Sequence, residues 1–198
     1  MILIPSDASD RAKIIGIDPG SEKLGVAYIE FSCTDFSIYK CGALTLIGSK
    51  LPRGDFDIML HSDRFSRINA LKEELYRILV EERPLVVSSE APFINVRRPA
   101  AYGALVEVVS HVRQAVREYS GWNKLLLVSP SSTKQAVGAP GNADKDKVKS
   151  CILKIPELVN YCESNIENLD EHSLDALAVA YHTLTQYRKS EFPRLELF

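Results

Sequence analysis

At 198 residues, with 45% hydrophobic and 25% charged side chains, the chain is long enough to bury a core without disulfides or structural metal, and its composition excludes a disordered polymer. Its 24 Lys and Arg against 26 Asp and Glu leave a formal charge of -2, which excludes a global attraction to nucleic acid and leaves that role to a local basic surface. Cys33, Cys41, Cys151 and Cys162 form no C-x-x-C pair and no zinc spacing with the four histidines, which excludes a zinc module.

The thiols are therefore expected to be reduced and mostly buried. No apolar run approaches the roughly 18 to 20 residues that span a bilayer, and the opening Met-Ile-Leu-Ile is too short for a signal-peptide core. These features predict a soluble, intracellular, cytoplasmic protein. A single domain over residues 1–198 is expected, with 1–12 and 189–198 as peripheral tails.

In chain order, residues 13–18 form an apolar run stopped by Pro19-Gly20, and residues 24–31 form a second, β-branched run. Residues 36–47 supply a third strand with Gly42 as a weak point, so the first third reads as a meander, followed by a loop over 52–57. From about Ser62 the period changes: Leu71, Leu75, Ile78 and Leu79 make the apolar stripe of a helix that ends before Pro84. Residues 85–89 are a short strand leading to Glu90. Residues 100–119 are helical with Leu105, Val109, Val112 and Val116 on one stripe, and 125–128 are the fifth strand. Beyond a 138–141 turn come a helix from Asp144 toward Ile155 and a last helix over 171–187. The pattern predicts a mixed α/β sheet covered on both faces.

Asp18 ends a strand that otherwise reads as buried, so its charge needs a partner or a metal, although Asp18-Pro19-Gly20 equally suits a type I turn. Glu90 repeats the pattern. Two acids at the carboxyl ends of core strands occupy the place where open α/β sheets bind ligands; capping or an ion pair is the plainer reading of Glu90. His172 and Asp175 are three apart on one helical face, opposite Leu174, Leu177, Ala178 and Tyr181, and an imidazole and a carboxylate so placed can share a divalent cation with facing acids. Asp170 and Glu171 read as helix capping. Lys134, Lys145, Lys147, Lys149 and Lys154, with Arg97 and Arg98 just after Glu90, form a local basic region that is either a solvated face or, beside acids that hold metal, a phosphate-binding surface.

Taken together, these segments resemble the RuvC family of Holliday-junction resolvases over about residues 13–187. Ile15-Gly16-Ile17-Asp18-Pro19-Gly20-Ser21 followed by Gly25-Val26-Ala27 resembles the family's first catalytic strand and hairpin. Glu90 with Phe93 resembles its second acid and base-stacking aromatic. Lys134-Gln135-Ala136-Val137-Gly138 and Gly141-Asn142-Ala143-Asp144-Lys145 resemble its lysine-bearing DNA-contact segment. His172-Ser173-Leu174-Asp175-Ala176-Leu177-Ala178 resembles its final catalytic helix. The first hairpin alone is also similar to YqgF-like nucleases and actin-like ATPases; the lysine segment and last helix make the match specific.

The resemblance implies an RNase H-like fold with a mixed five-stranded sheet, and a homodimer that nicks opposed strands of a four-way junction. It implies metal ligation by Asp18, Glu90, His172 and Asp175, with Lys145 also catalytic. DNA contacts are expected from Phe93, Arg97, Arg98, Lys134, Lys145 and Lys147. Two Mg²⁺ ions about 4 Å apart are expected, with Mn²⁺ as a substitute favoured somewhat by the imidazole. Family members carry either a carboxylate or a histidine at the place of His172, which bears on metal preference, and Arg97-Arg98-Pro99 matches nothing in the family pattern. Competing expectations are a YqgF-like nuclease on structured RNA and a junction-binding scaffold without hydrolysis; a branch-migration helicase partner is left open.

Overall fold

A computed structural model describes residues 10–94 and 99–189 of the chain. Three strands, β1 (Arg11–Asp18), β2 (Lys23–Ser32) and β3 (Ile38–Ile47), form the expected antiparallel meander, and β1 takes in Arg11 and Ala12 from the expected tail. β3 runs on through Gly42, which pairs with Tyr28 of β2. Two further strands, β4 (Val86–Glu90) and β5 (Leu125–Val128), add in parallel on the other side of β1 to give the order β3-β2-β1-β4-β5. The fold class anticipated from the sequence, a mixed five-stranded sheet with helices on both faces, is therefore the one observed.

Strand parity divides the core into two layers. Ile15, Ile17, Val26 and Leu46 pack against α2 (Asp63–Glu82) through Ile68, Leu71, Leu75 and Leu79, and against α3 (Pro99–Tyr119) through Val108, Val112 and Val116. Ile14, Ala27, Ile29 and Val86 face the other way, onto Leu174, Leu177, Ala178 and Leu184 of the last helix, α7 (Glu171–Arg188). Successive side chains of a strand alternate faces, so Asp18 and Glu90 belong to the rows of Ile14 and Val86 and face α7.

The expected loop over 52–57 is a correction: Asp55–His61 forms a short helix, α1, preceded by Gly54 and with Asp55 and Asp57 in its first turn, where acids complement the helix dipole. Between β5 and α7 lie α4 (Pro130–Ala136), α5 (Lys145–Ile152) and α6 (Pro156–Tyr161), so the single helix expected from Asp144 toward Ile155 stops at Ile152, and Pro156 opens the next. All four cysteines are free, as expected, but only Cys41 and Cys151 are buried; Cys33 and Cys162 are partly exposed. Among the described residues, no helix is long and apolar enough to cross a membrane.

Candidate active site

β1 and β4 run parallel with Gly16 beside Ser88 and Ile17 beside Ser89, and the continuing register brings Asp18 next to Glu90 at the carboxyl ends of both strands. α7 crosses over this edge at unusually close range. A Cβ on Gly25 would lie 2.0 Å from the His172 carbonyl oxygen, and one on Gly16 would lie 2.4 Å from the Ala176 oxygen and the Ala180 nitrogen. These glycines let the helix backbone rest directly on the sheet, which carries His172 and Asp175 down to the two strand-end acids. The sequence reading attached no function to that packing; its signal was the pairing of small residues in β1 and β2 with Ala176 and Ala180 in α7.

The N-terminus of α7 is fixed from two sides. Asp170 caps it, its Oδ1 accepting from the Ser173 N–H at 2.9 Å and the Ser173 hydroxyl at 2.8 Å. The same oxygen accepts from the Thr45 hydroxyl of β3 at 2.6 Å, which ties the cap to the sheet and adds Thr45 to the residues that position the site. At the end of β5, the Ser129 hydroxyl caps α4 by accepting from the Ser132 N–H at 3.1 Å, and α4 brings Lys134 beside the acids, its Nζ donating to the Ala143 carbonyl at 2.7 Å. Asp144 caps α5, whose first residue, Lys145, pairs with Glu171. Glu171 is thus more than a cap: its other oxygen lies 3.5 Å from His172 Nε2. A cleft of about 250 Å³ between α5 and α7 is lined by Lys145, Lys149, Glu171 and Asp175.

The structure therefore gathers Asp18, Glu90, His172, Asp175, Lys134 and Lys145 at one end of the sheet. Phe93 stands in the segment after β4 and is 49% exposed, so it is not a core side chain. Lys147 is exposed on α5, two positions from Lys145 and so on a different side of the helix. Lys149 is held by the Glu167 carbonyl at 2.6 Å. Arg97 and Arg98 lie outside the described residues.

With this geometry in view, the chain is 31% identical over 174 residues to the crossover junction endodeoxyribonuclease RuvC of Myxococcus xanthus, across 85% of this chain and 78% of the relative. The chain belongs to the RuvC family. It is also 28% identical over 169 residues to RuvC of Alkaliphilus oremlandii, across 84% of this chain and 89% of the relative. The fold matches Thermus thermophilus RuvC in complex with Holliday junction substrate at a TM-score of 0.65 and 21% identity, over 90% of this chain and 96% of that one. A scan of family profiles gives no match.

In this RuvC-family site the acids are electrostatically frustrated. Burial, and then the charges of Asp18 and Asp175, push Glu90 up from 4.5 to about 8, with Lys134 opposing. Burial, and then Asp18, push Asp175 up to about 6, against Lys145, Lys134 and His172. Asp18 is held differently: its Oδ2 accepts from His172 Nδ1 at 2.7 Å, and this bond raises the imidazole pKa above its usual value. With Asp18 turned onto His172, no three His, Cys, Asp or Glu side chains among the described residues stand in ready-made metal-binding geometry. The donor chemistry nevertheless fits divalent cations, because the charge of Asp18 adds to burial in raising the pKa of Glu90 and Asp175, and a cation among the three carboxylates would relieve that repulsion.

Proposed function

We propose that this chain is a structure-specific DNA endonuclease that resolves four-way (Holliday) junctions by paired, symmetric nicks. The observation that carries the reading is the convergence of Asp18, Glu90 and Asp175 with His172 at the carboxyl ends of parallel strands, flanked by Lys134 and Lys145, in a chain of the RuvC family. Asp18, Glu90, His172 and Asp175 are the proposed metal ligands. Their oxygen-rich set favours Mg²⁺, two ions per site, with the imidazole improving Mn²⁺ as a substitute. Divalent cations held there supply the acidity that generates an attacking hydroxide and stabilises the leaving 3′ oxygen.

The chain's own groups divide the remaining work. His172 as a neutral imidazole would hold a cation, and its bond to Asp18 would then give way to ligation by both side chains. Lys134 reaches the acids from α4 and lowers the pKa of both Glu90 and Asp175, the placement a clamp on a scissile phosphate requires. Lys145 is paired with Glu171 until a phosphate competes for it. Phe93 offers an exposed ring beyond Glu90 for stacking on a junction base, while Lys147, Arg97 and Arg98 are proposed backbone contacts. Paired nicking needs two sites, and a homodimer formed through the exposed Phe56, Met59 and Leu60 of α1 is the proposed assembly. We place the activity in an intracellular, soluble protein, with the described residues forming its nuclease domain.

The deciding experiment is nicking of a labelled mobile four-way junction, a linear duplex and a structured RNA, in Mg²⁺ and in Mn²⁺, by the native chain and by Asp18→Asn. Paired metal-dependent nicks in the junction alone are expected. The variant should lose cleavage by on the order of 10²–10³-fold or more while binding the junction. Cleavage of the RNA would move the activity to the YqgF-like type, and binding without nicking in either metal would make the protein a scaffold.

A further inference from the structure

Cys41 and Cys162 are distant in sequence and adjacent in the fold. β3 is an edge strand, and the segment following α6 docks on its free side through a parallel bridge between these two residues. The Glu163 N–H donates to the Cys41 carbonyl at 2.9 Å and secures the contact. Neighbouring strands stand about 4.8 Å apart, within the roughly 4.4–6.8 Å Cα separation that a disulfide spans, so a bond between the two sulfurs asks for side-chain rotation rather than backbone movement.

Both residues are free thiols, set side by side across the bridge. Cys41 is buried and its Sγ also lies 3.7 Å from the Leu158 carbonyl oxygen, whereas Cys162 is partly exposed. The neighbouring Cys41 thiol lowers the Cys162 thiol to about 7; the Cys162 thiol, and then burial, push Cys41 up. A partly exposed thiol whose ionisation is favoured and that lies beside a buried second thiol is the arrangement of a reactive cysteine with its resolving partner. The other two cysteines differ. Cys33 is pushed up by burial and by Asp10, and Cys151 is buried with its Sγ 3.6 Å from the Gly138 carbonyl oxygen.

We propose that Cys41 and Cys162 form a peroxide-reactive dithiol site, in which Cys162 is oxidised first and Cys41 closes a disulfide that staples the segment after α6 to the sheet edge. The Cys162 thiolate attacks one oxygen of hydrogen peroxide; the S–O bond forms, the O–O bond breaks, and the departing hydroxide takes up a proton as water. The Cys41 sulfur then attacks the Cys162 sulfenic acid. The S–S bond forms, the S–O bond breaks, and a second water leaves with the Cys41 proton. Two thiols and one peroxide become one disulfide and two waters, sulfur being oxidised and oxygen reduced. The proposal is independent of the nuclease reading, since neither thiol belongs to that site.

The test is peroxide treatment of the full chain near neutral pH, followed by peptide mapping under non-reducing conditions and by thermal melting. The expected result is one Cys41–Cys162 cross-linked peptide, lighter by two hydrogens, reversed by a thiol reductant, retained in Cys33→Ser and absent in Cys162→Ser. The cross-linked chain should melt higher by on the order of 10 °C, because the bridge closes a long loop of the unfolded chain. Cys41→Ser should leave a sulfenic acid on Cys162 that a dimedone probe captures. Should that buried substitution prevent folding, the native chain's map decides alone. Over-oxidation of Cys162 with Cys41 untouched, a bridge to Cys33 or Cys151, an intermolecular bridge or no reaction would each overturn the proposal, and a cross-link without a higher melting point would overturn the staple.

Discussion

Glu90 ends a strand facing two other acids, so the metal-free site should register in the pH dependence of stability. Its folded value of about 8 against an ordinary 4.5 means that between those limits the folded chain keeps a proton the unfolded chain has released, and stability falls as pH rises through that window. Asp175, raised to about 6, acts with the same sign. His172 adds to it, because a raised imidazole contributes stability that is present below its ordinary 6.5 and lost as pH climbs through its folded value. In EDTA the native chain should therefore melt lower at pH 8 than at pH 5. Glu90→Gln should flatten that slope, and added Mg²⁺ should stabilise the native chain more at pH 8 than at pH 5. An unaltered slope in Glu90→Gln would place the repulsion elsewhere. Phe93 gives a second residue-scale test. Because the ring is half exposed, Phe93→Ala should leave the melting temperature nearly unchanged while weakening junction binding by roughly 1–3 kcal/mol in a titration; a large loss of stability with intact binding would return Phe93 to a packing role.

At the scale of elements, the seat of α7 governs the site. Gly25→Ala places a methyl 2.0 Å from the His172 carbonyl oxygen, a backbone atom that yields only if the helix lifts. Unfolding measurements should find a loss of roughly 1–3 kcal/mol, with junction cleavage falling further than stability because His172 and Asp175 retreat from Asp18. Gly103→Ala in α3 is the contrast: nothing lies within 4 Å of its Cβ, so it should gain roughly 0.5–1 kcal/mol. The strands were legible because Ile14, Ile15 and Ile17 can only be satisfied by burial, and the acids were legible because a charge ending such a strand needs a reason. The seat was not legible, since Gly16 and Gly25 explain themselves only against Ala176, Ala180 and His172, far along the chain. Glu171 read as a cap because its pairing with Lys145 is made between separate helices, where local spacing carries no signal. α1 was read as loop because Pro52 and Gly54 announce a turn, and none of its side chains is buried.

At the scale of the molecule, the described residues of one chain form one such site, and symmetric paired nicks need two sites related by a twofold axis. The surface for that pairing should be apolar and self-complementary. Phe56, Met59 and Leu60 of α1 stand on one helical face and are 66%, 72% and 54% exposed, an arrangement that water penalises and that packing against a second copy would relieve. Replacing Phe56 and Met59 together by Glu puts two charges into that face. Since both side chains are mostly exposed in the single chain, the fold should lose no more than about 0.5 kcal/mol per site. Light scattering should then find the native chain as a dimer and the double variant as a monomer. On a junction labelled on opposed strands, the monomer should still nick, because Asp18, Glu90, His172 and Asp175 come from one chain, but the two nicks should become uncorrelated and linear products scarce. A double variant that remains dimeric and still cuts in pairs would move the interface off α1 and leave its apolar face to another partner.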